Sequence, residues 1–281
     1  MLSALAMIAF AANSIIARLA LGNRGIDPGT FTLLRLTSGA LSLISIVHFS
    51  ARRNRRKLEV LGSWISATLL LVYAATFSYA YISLGAATGA LVLFAVVQSV
   101  MLSVALRSGE RPGLTGIAGL ALALTGLIAL VGPGISRPSL SGALLMSIAG
   151  VAWAGYTLRG RGSDRPVLVT AGNFLRSIAL ALPLWLLLLL LNREAVHVDA
   201  RGVGLALLSG AVTSGLGYAL WYTVLPSLSR SQSGVIQMAP APLATVGALI
   251  LLGEPLTTQL LLASLLVLSG VLIGVMGRKA K

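Results

Sequence analysis

The sequence predicts an all-α transmembrane protein of ten helices, arranged as two inverted-topology repeats of five. Three observations lead there. Apolar residues make up 57% of the chain and charged residues only 10%, against roughly a quarter charged in soluble domains; mean hydropathy is +0.93. The apolar residues gather into ten runs of about 20 residues, the length a helix needs to cross a bilayer. Finally, the pattern of the first half is written again in the second.

The runs are 2–22, 29–49, 61–83, 86–106, 114–132, 140–159, 167–191, 202–225, 232–252 and 257–276. Gaps of a few residues leave no room for a soluble domain. The first run lacks a basic n-region and cleavage site before it, so it reads as a retained helix, not a removed signal. It carries Asn13 and Arg18. The second carries Arg35 about a turn inside and ends near His48. The third runs from Trp64 past Tyr73, both read as an interfacial aromatic belt, to Tyr79. The fourth holds Gln98 and is closed by Gly109-Glu110-Arg111, and the fifth completes the half. The sixth brings Trp153 and Tyr156 near its end, the seventh Asn173 and Arg176, the eighth Tyr218 and Trp221. The ninth holds Gln237, is interrupted by Pro240-Ala241-Pro242, and closes on Gly253-Glu254-Pro255. The tenth carries Gly270 and Gly274, a GxxxG spacing suited to close helix packing.

A formal charge of +14 raises the question of nucleic acid, and the placement of the charge answers it. With the N-terminus inside, the inside loops hold Arg52, Arg53, Arg55, Arg56, Lys57, Arg107, Arg111, Arg159, Arg161, Arg165, Arg230, Arg278, Lys279 and Lys281. The outside loops hold only Arg24, Arg137, Arg193 and Arg201. That is the positive-inside bias of cytoplasmic loops. The expectation is therefore a multi-pass inner (plasma) membrane protein, both termini cytoplasmic, with lipid and not nucleic acid around it. Cysteine is absent, which excludes disulfide and thiol chemistry.

The repeat is legible in four places. "AATGALVLFAVVQSVMLSVALRSGE" aligns with "SQSGVIQMAPAPLATVGALILLGE", "YAYISLG" with "YALWYTVL", and "FTLLRLTSGALSLI" with "NFLRSIALALPLWLL", which pairs Arg35 with Arg176. The doubled Gly-Glu turn closes spans four and nine. The expected repeats are 1–132 and 133–281. Five spans per repeat is an odd number, so the second copy lies inverted, an arrangement typical of secondary transporters with the site near the midplane. Glu110 and Glu254 then face opposite sides and read as turn anchors at the headgroups.

These motifs, with "YALWYTVLPSLSRSQSGVIQMAPAPLATVGALILLGEPLT", resemble the drug/metabolite transporter superfamily, EamA type, over nearly the whole chain; the YddG-like amino-acid exporters are similar within it. The family's first repeat often has a proline in the fourth helix, where this chain has Val96-Val97-Gln98. The related small multidrug transporters carry a glutamate in the first helix, where this chain has "FAANSIIA", which argues against cationic-drug antiport. The resemblance implies export.

The inventory leaves a membrane-embedded hydrolase or metalloprotease little to work with, and no enzyme is expected. All seven acids and both histidines fall in loops or at span ends, so no Ser-His-Asp set, metal cluster or carboxylate pair assembles inside; no metal or cofactor is expected. Nor is there an intramembrane carboxylate to titrate on a proton path, so exchange without a proton gradient is expected. The candidate substrate-binding residues are Asn13, Tyr79, Gln98, Trp153, Tyr156, Tyr218, Trp221 and Gln237. The amides are uncharged donors and acceptors with helix–helix glue as their alternative role; the aromatics suit an amphipathic cavity or an interfacial belt. Arg35 and Arg176 either snorkel to the span ends or face inward and attract a carboxylate. Pro240 and Pro242 each remove a backbone bond and kink the helix, as a hinge or as a static bend. The expected function is a carrier that exports small neutral or zwitterionic metabolites, amino acids including aromatic ones, by alternating access. A carrier of anionic metabolites and a non-transporting scaffold are the alternatives.

Overall fold

A computed structural model describes residues 1–53, 61–109, 113–131, 139–191, 196–255 and 257–276. Among these, ten helices follow one another in the predicted order. They are α1 (Leu2–Leu21), α2 (Pro28–Arg53), α3 (Trp64–Ala80), α4 (Ala86–Arg107), α5 (Leu114–Val131), α6 (Leu140–Gly160), α7 (Pro166–Leu191), α8 (Ala200–Ser227), α9 (Arg230–Leu252) and α10 (Thr258–Met276). Seven are long and apolar enough to cross a membrane, whereas α3, α5 and α10 supply shorter apolar stretches. At 1.5 Å per residue, the 17 residues of α3 span about 26 Å, just under a hydrocarbon core of about 30 Å.

Helix is the form these runs must take, because hydrocarbon offers the backbone no other hydrogen-bond partner. The starts are set by short polar residues. Asp27 Oδ1 accepts from the Thr30 amide at 2.8 Å ahead of Pro28, the first residue of α2. Ser63, Ser139 and Asp199 cap α3, α6 and α8 in the same way, and Ser229 forms a reciprocal capping box with Gln232 on α9; such side chains satisfy amides that the first turn leaves unpaired. The two Gly-Glu turns also have a physical reason. Gly109 has φ +78° and Gly253 φ +64°, the left-handed conformation that ends a helix and that glycine adopts without a Cβ clash. Glu110 lies outside the described residues.

Two helices depart from regular α geometry, and both departures face the centre. α8 widens into a π-helix over Ser209–Leu216 before returning to α-helix at Gly217–Val224. α9 is two helices, Arg230–Ile236 and Pro240–Leu252, joined by a turn at 237–239. The expected interruption at Pro240 and Pro242 is thus present, and it falls just before the first proline, whose missing N–H cannot continue the preceding ladder.

The larger helix contacts recur when each helix is exchanged for the one five places on. α3 packs on α6 as α8 does on α1; α4 packs on α6 as α9 does on α1; α3 packs on α7 as α8 does on α2. α2 with α7, α4 with α9 and α5 with α10 are pairs that exchange with themselves. Loops gather at two ends. At one, the Asp27 amide donates to His197 O at 2.8 Å and the Asp199 amide to Gly25 O at 2.8 Å. At the other, Arg159 Nε donates to Ser66 Oγ at 3.1 Å and Arg161 Nη1 to Ser233 Oγ at 3.2 Å.

Candidate functional site

Midway along the bundle, α1, α3, α6, α7 and α8 turn a continuous cluster of rings inward. Trp153 on α6 is its hub, with ring centroids 5.4 Å from Phe10, 5.0 Å from Tyr73, 5.9 Å from Tyr156 and 4.8 Å from Tyr218. Tyr218 continues to Phe174 at 5.4 Å, and Phe10 to Trp221 at 6.3 Å. Most meet edge-on or tilted, the arrangement the ring quadrupole favours. At these separations no solute fits between the rings, so admitting one requires the helices to move apart.

Arg35 forms the polar wall of this cluster. It is 2% exposed, seven residues and about 10 Å along α2 from Pro28. Nε donates to Ser214 Oγ at 2.9 Å, and Nη2 to Tyr73 OH at 3.0 Å and Tyr218 OH at 3.4 Å. The guanidinium carbon stands 5.1 Å from the Tyr73 ring centroid and 4.8 Å from that of Phe77. Nη1 is buried and has no hydrogen-bond partner. Among the described residues no carboxylate pairs with this cation; Glu254 pairs with Arg18 at 3.8 Å, at the end of the bundle. An arginine deep in a bilayer costs about 2.5–3.5 kcal/mol even on insertion scales. Hydroxyls and ring faces offset part of that cost but leave the charge unbalanced.

The remaining candidates divide. Trp153 Nε1 donates to Gln237 Oε1 at 2.6 Å, and Gln237 Nε2 to Ser233 O at 3.1 Å, so Gln237 ties the hub to the joint in α9. Asn173 Nδ2 donates to Tyr156 OH at 3.4 Å. Asn13 Oδ1 accepts from Ser209 Oγ at 2.7 Å and Thr213 Oγ1 at 2.9 Å, which fastens α1 to the π segment of α8. Trp221 is fully buried with Nε1 unpartnered, and Gln98 is buried with Oε1 unpartnered, set against Gly234 on α9.

Two candidates lie elsewhere. Tyr79 is 39% exposed and borders a separate crevice with Gly29, Thr32, Leu71, Trp185 and Leu188, about 320 Å³ to its open mouth. It stands two residues after Phe77, about 200° around α3 from the face that carries Tyr73 and Phe77. Arg176 does not join its repeat partner Arg35. Its Nη1 donates to Leu61 O at 2.8 Å and Gly172 O at 3.1 Å, with its guanidinium carbon 5.8 Å from the Trp64 ring centroid. The segment before α3 folds down over α7 and takes up that guanidinium.

Tyr73 moves the other way. Read as an interfacial belt residue, it is buried beside Arg35 and Trp153. It lies nine residues beyond Trp64, about 13 Å into the membrane, a depth that the sequence contained and that argues against a belt. Phe10, Phe77, Phe174 and Ser214 are further site residues that sequence reasoning missed. Phe10 stands one turn before Asn13 and Phe77 one turn after Tyr73, spacings that place each on a shared face. Glu254, read as a turn anchor at the headgroups, reaches across to another helix: Oε1 accepts from the Ala86 amide at 2.8 Å, favourable at the positive start of α4.

The model of the EamA-like transporter family matches residues 140–276. The uncharacterized protein PA1977 of Pseudomonas aeruginosa is 48% identical over 271 residues, covering 96% of this chain and 92% of that protein. A solved structure, described only as the crystal structure of a protein, superposes with a TM-score of 0.71 at 21% identity, covering 98% of this chain and 99% of that one. At that identity the likeness speaks to the fold alone.

Proposed function

Since this chain belongs to the EamA-like transporter family, a family of membrane transporters of small metabolites, we propose that it moves small carboxylate-bearing metabolites with an apolar or aromatic body, amino acids among them, by alternating access. Buried Arg35, with an open Nη1 and no counter-charge among the described residues, carries the proposal. A carboxylate supplies the missing charge, and the rings around Trp153 supply a face for the apolar body. Arg176 is set aside from this role by its contacts with Leu61 and Gly172.

Alternating access is supported by the exchange of helix contacts between the halves 1–132 and 133–281, which suits two inverted repeats rocking about a central site. The joint before Pro240 and the π segment of α8 offer α9 and α8 places to bend. Export, the inner membrane and cytoplasmic termini follow from the resemblance and from the basic loops. Sidedness is tested by single cysteines at Asn23 and Ser50, at opposite bundle ends: Asn23→Cys is expected to label with an impermeant maleimide in intact cells and Ser50→Cys only after permeabilisation. Equal labelling overturns the topology.

The described acids Asp27, Asp164, Asp199 and Glu254 all lie at or beyond helix ends, so none of these four is placed to shuttle protons through the centre. Counterflow of an aromatic amino acid in proteoliposomes is therefore expected to continue with the proton gradient collapsed. The double variant Pro240→Ala, Pro242→Ala is expected to slow it several-fold by straightening α9. Exchange that stops with the gradient refutes uncoupled transport, and unchanged exchange in the double variant makes the prolines a static bend.

A further inference from the structure

We infer that the site at Arg35, opened by movement of its helices, prefers aromatic monoanions to zwitterionic amino acids, an inference that rests on reading Arg35 and the ring cluster as the transport site. The charge inventory of the interior is the reason. Arg35 contributes one positive charge, and its contacts with Ser214, Tyr73 and Tyr218 are all to neutral hydroxyls. None of the described acids can balance it. Asp27 and Asp199 cap α2 and α8, Asp164 is exposed in the loop between α6 and α7, and Glu254 holds the start of α4 beside Arg18. A monoanion brings the site to neutrality. A zwitterion leaves it at one positive charge and adds a second desolvated ion.

The geometry of an α-amino acid makes that worse. Its ammonium is bonded to the same carbon as its carboxylate, so a carboxylate seated on Arg35 holds the ammonium within about 6 Å of the guanidinium. At an effective dielectric of about 20, repulsion at that range is on the order of a hundredfold in affinity before relaxation. The ring faces nearest the guanidinium, those of Tyr73 and Phe77, already lie against Arg35 and are taken up by its charge. Gln98 Oε1, a buried acceptor without a partner, lies against Gly234 on α9 and not among the groups around Arg35. Of the unpartnered groups in and beside the aromatic cluster, Arg35 Nη1 and Trp221 Nε1 are donors only, and the hydroxyls of Tyr81 and Tyr222 can donate as well. They call for the acceptor oxygens of an anion, and an aromatic body meets the rings of Trp153 and Tyr218.

Three ligands sharing one ring and chain test this: phenylpropionate, phenylalanine, which adds the α-ammonium, and phenethylamine, which lacks the carboxylate. Binding to the full chain in lipid nanodiscs near neutral pH, read by tryptophan fluorescence and thermal shift, is expected to rank them in that order. The first gap is expected to be about tenfold or more in half-saturation, the part of the repulsion that survives relaxation. Arg35→Gln is expected to close that gap by removing the charge, and Arg35→Lys, which keeps it, to retain the preference and show that the site still folds. Phenylalanine binding as tightly as phenylpropionate overturns the charge preference and leaves the carboxylate carrier standing. Phenethylamine binding tightest, or none of the three binding, overturns both. A gap undiminished in folded Arg35→Gln overturns the assignment to Arg35.

Discussion

Replacing Arg35 with glutamine is expected to reduce substrate exchange about a hundredfold, since truncating one partner of a buried charge pair costs on the order of 2–5 kcal/mol. The thermal midpoint of the ligand-free protein is expected to move by only a few degrees. Two terms oppose each other there. Removing the guanidinium gives up hydrogen bonds to Ser214, Tyr73 and Tyr218, each worth about 1.5–3 kcal/mol when one partner is charged. It also abolishes the penalty of holding an unbalanced cation in a dry interior, which is several kcal/mol. The near-cancellation gives the measurement its power, because a structural arginine would lower stability and transport together. Exchange in proteoliposomes and thermal unfolding in detergent, taken on one preparation, separate the cases. A large fall in the midpoint accompanied by proportionate loss of folded protein makes Arg35 a structural strut.

Gly210→Val is expected to be the most destabilising of the single substitutions considered, at about 2–3 kcal/mol, toward the upper end of overpacking costs. Gly210 lies in the π segment of α8, and a Cβ built there falls inside the van der Waals radius of the Arg35 carbonyl oxygen and of Ser38 Oγ. The serine can rotate away. The backbone oxygen of α2 cannot, so α2 and α8 must separate, taking Ser214 from Arg35 and loosening the Asn13 contacts with Ser209 and Thr213. Gly204→Ala, earlier on the same helix, is the control. A Cβ there meets nothing within 4 Å, and alanine favours helix over glycine by up to about 1 kcal/mol, so stability is expected to hold or rise. Equal midpoints for Gly210→Val and Gly204→Ala refute the close approach of α2 to α8.

By itself the sequence determined the solvent, the helix count and order, the recurrence of the Gly-Glu turn and the break in span nine. Each of these is local. A run of about 20 apolar residues has few alternatives in lipid, a left-handed turn calls for glycine, and proline cannot donate to the turn before it. Tertiary structure decided which polar residues meet. Arg35 and Arg176 occupy matching places in the repeat, yet one borders the aromatic cluster while the other is taken up by the backbone at Leu61. Tyr79 and Tyr218 match as well, yet Tyr79 stands at a side crevice and Tyr218 touches the hub. Tyr73, read as a belt residue, belongs to the centre. The physical reason is that in a helix apolar on every side periodicity carries little information about which face turns inward, so rotation about the axis is settled by neighbours far away in sequence. The π segment was illegible for a related reason. Nothing in the run Ser209 to Leu216 marks a wider turn against an ordinary helix, and it is the close passage of α2 that accompanies it.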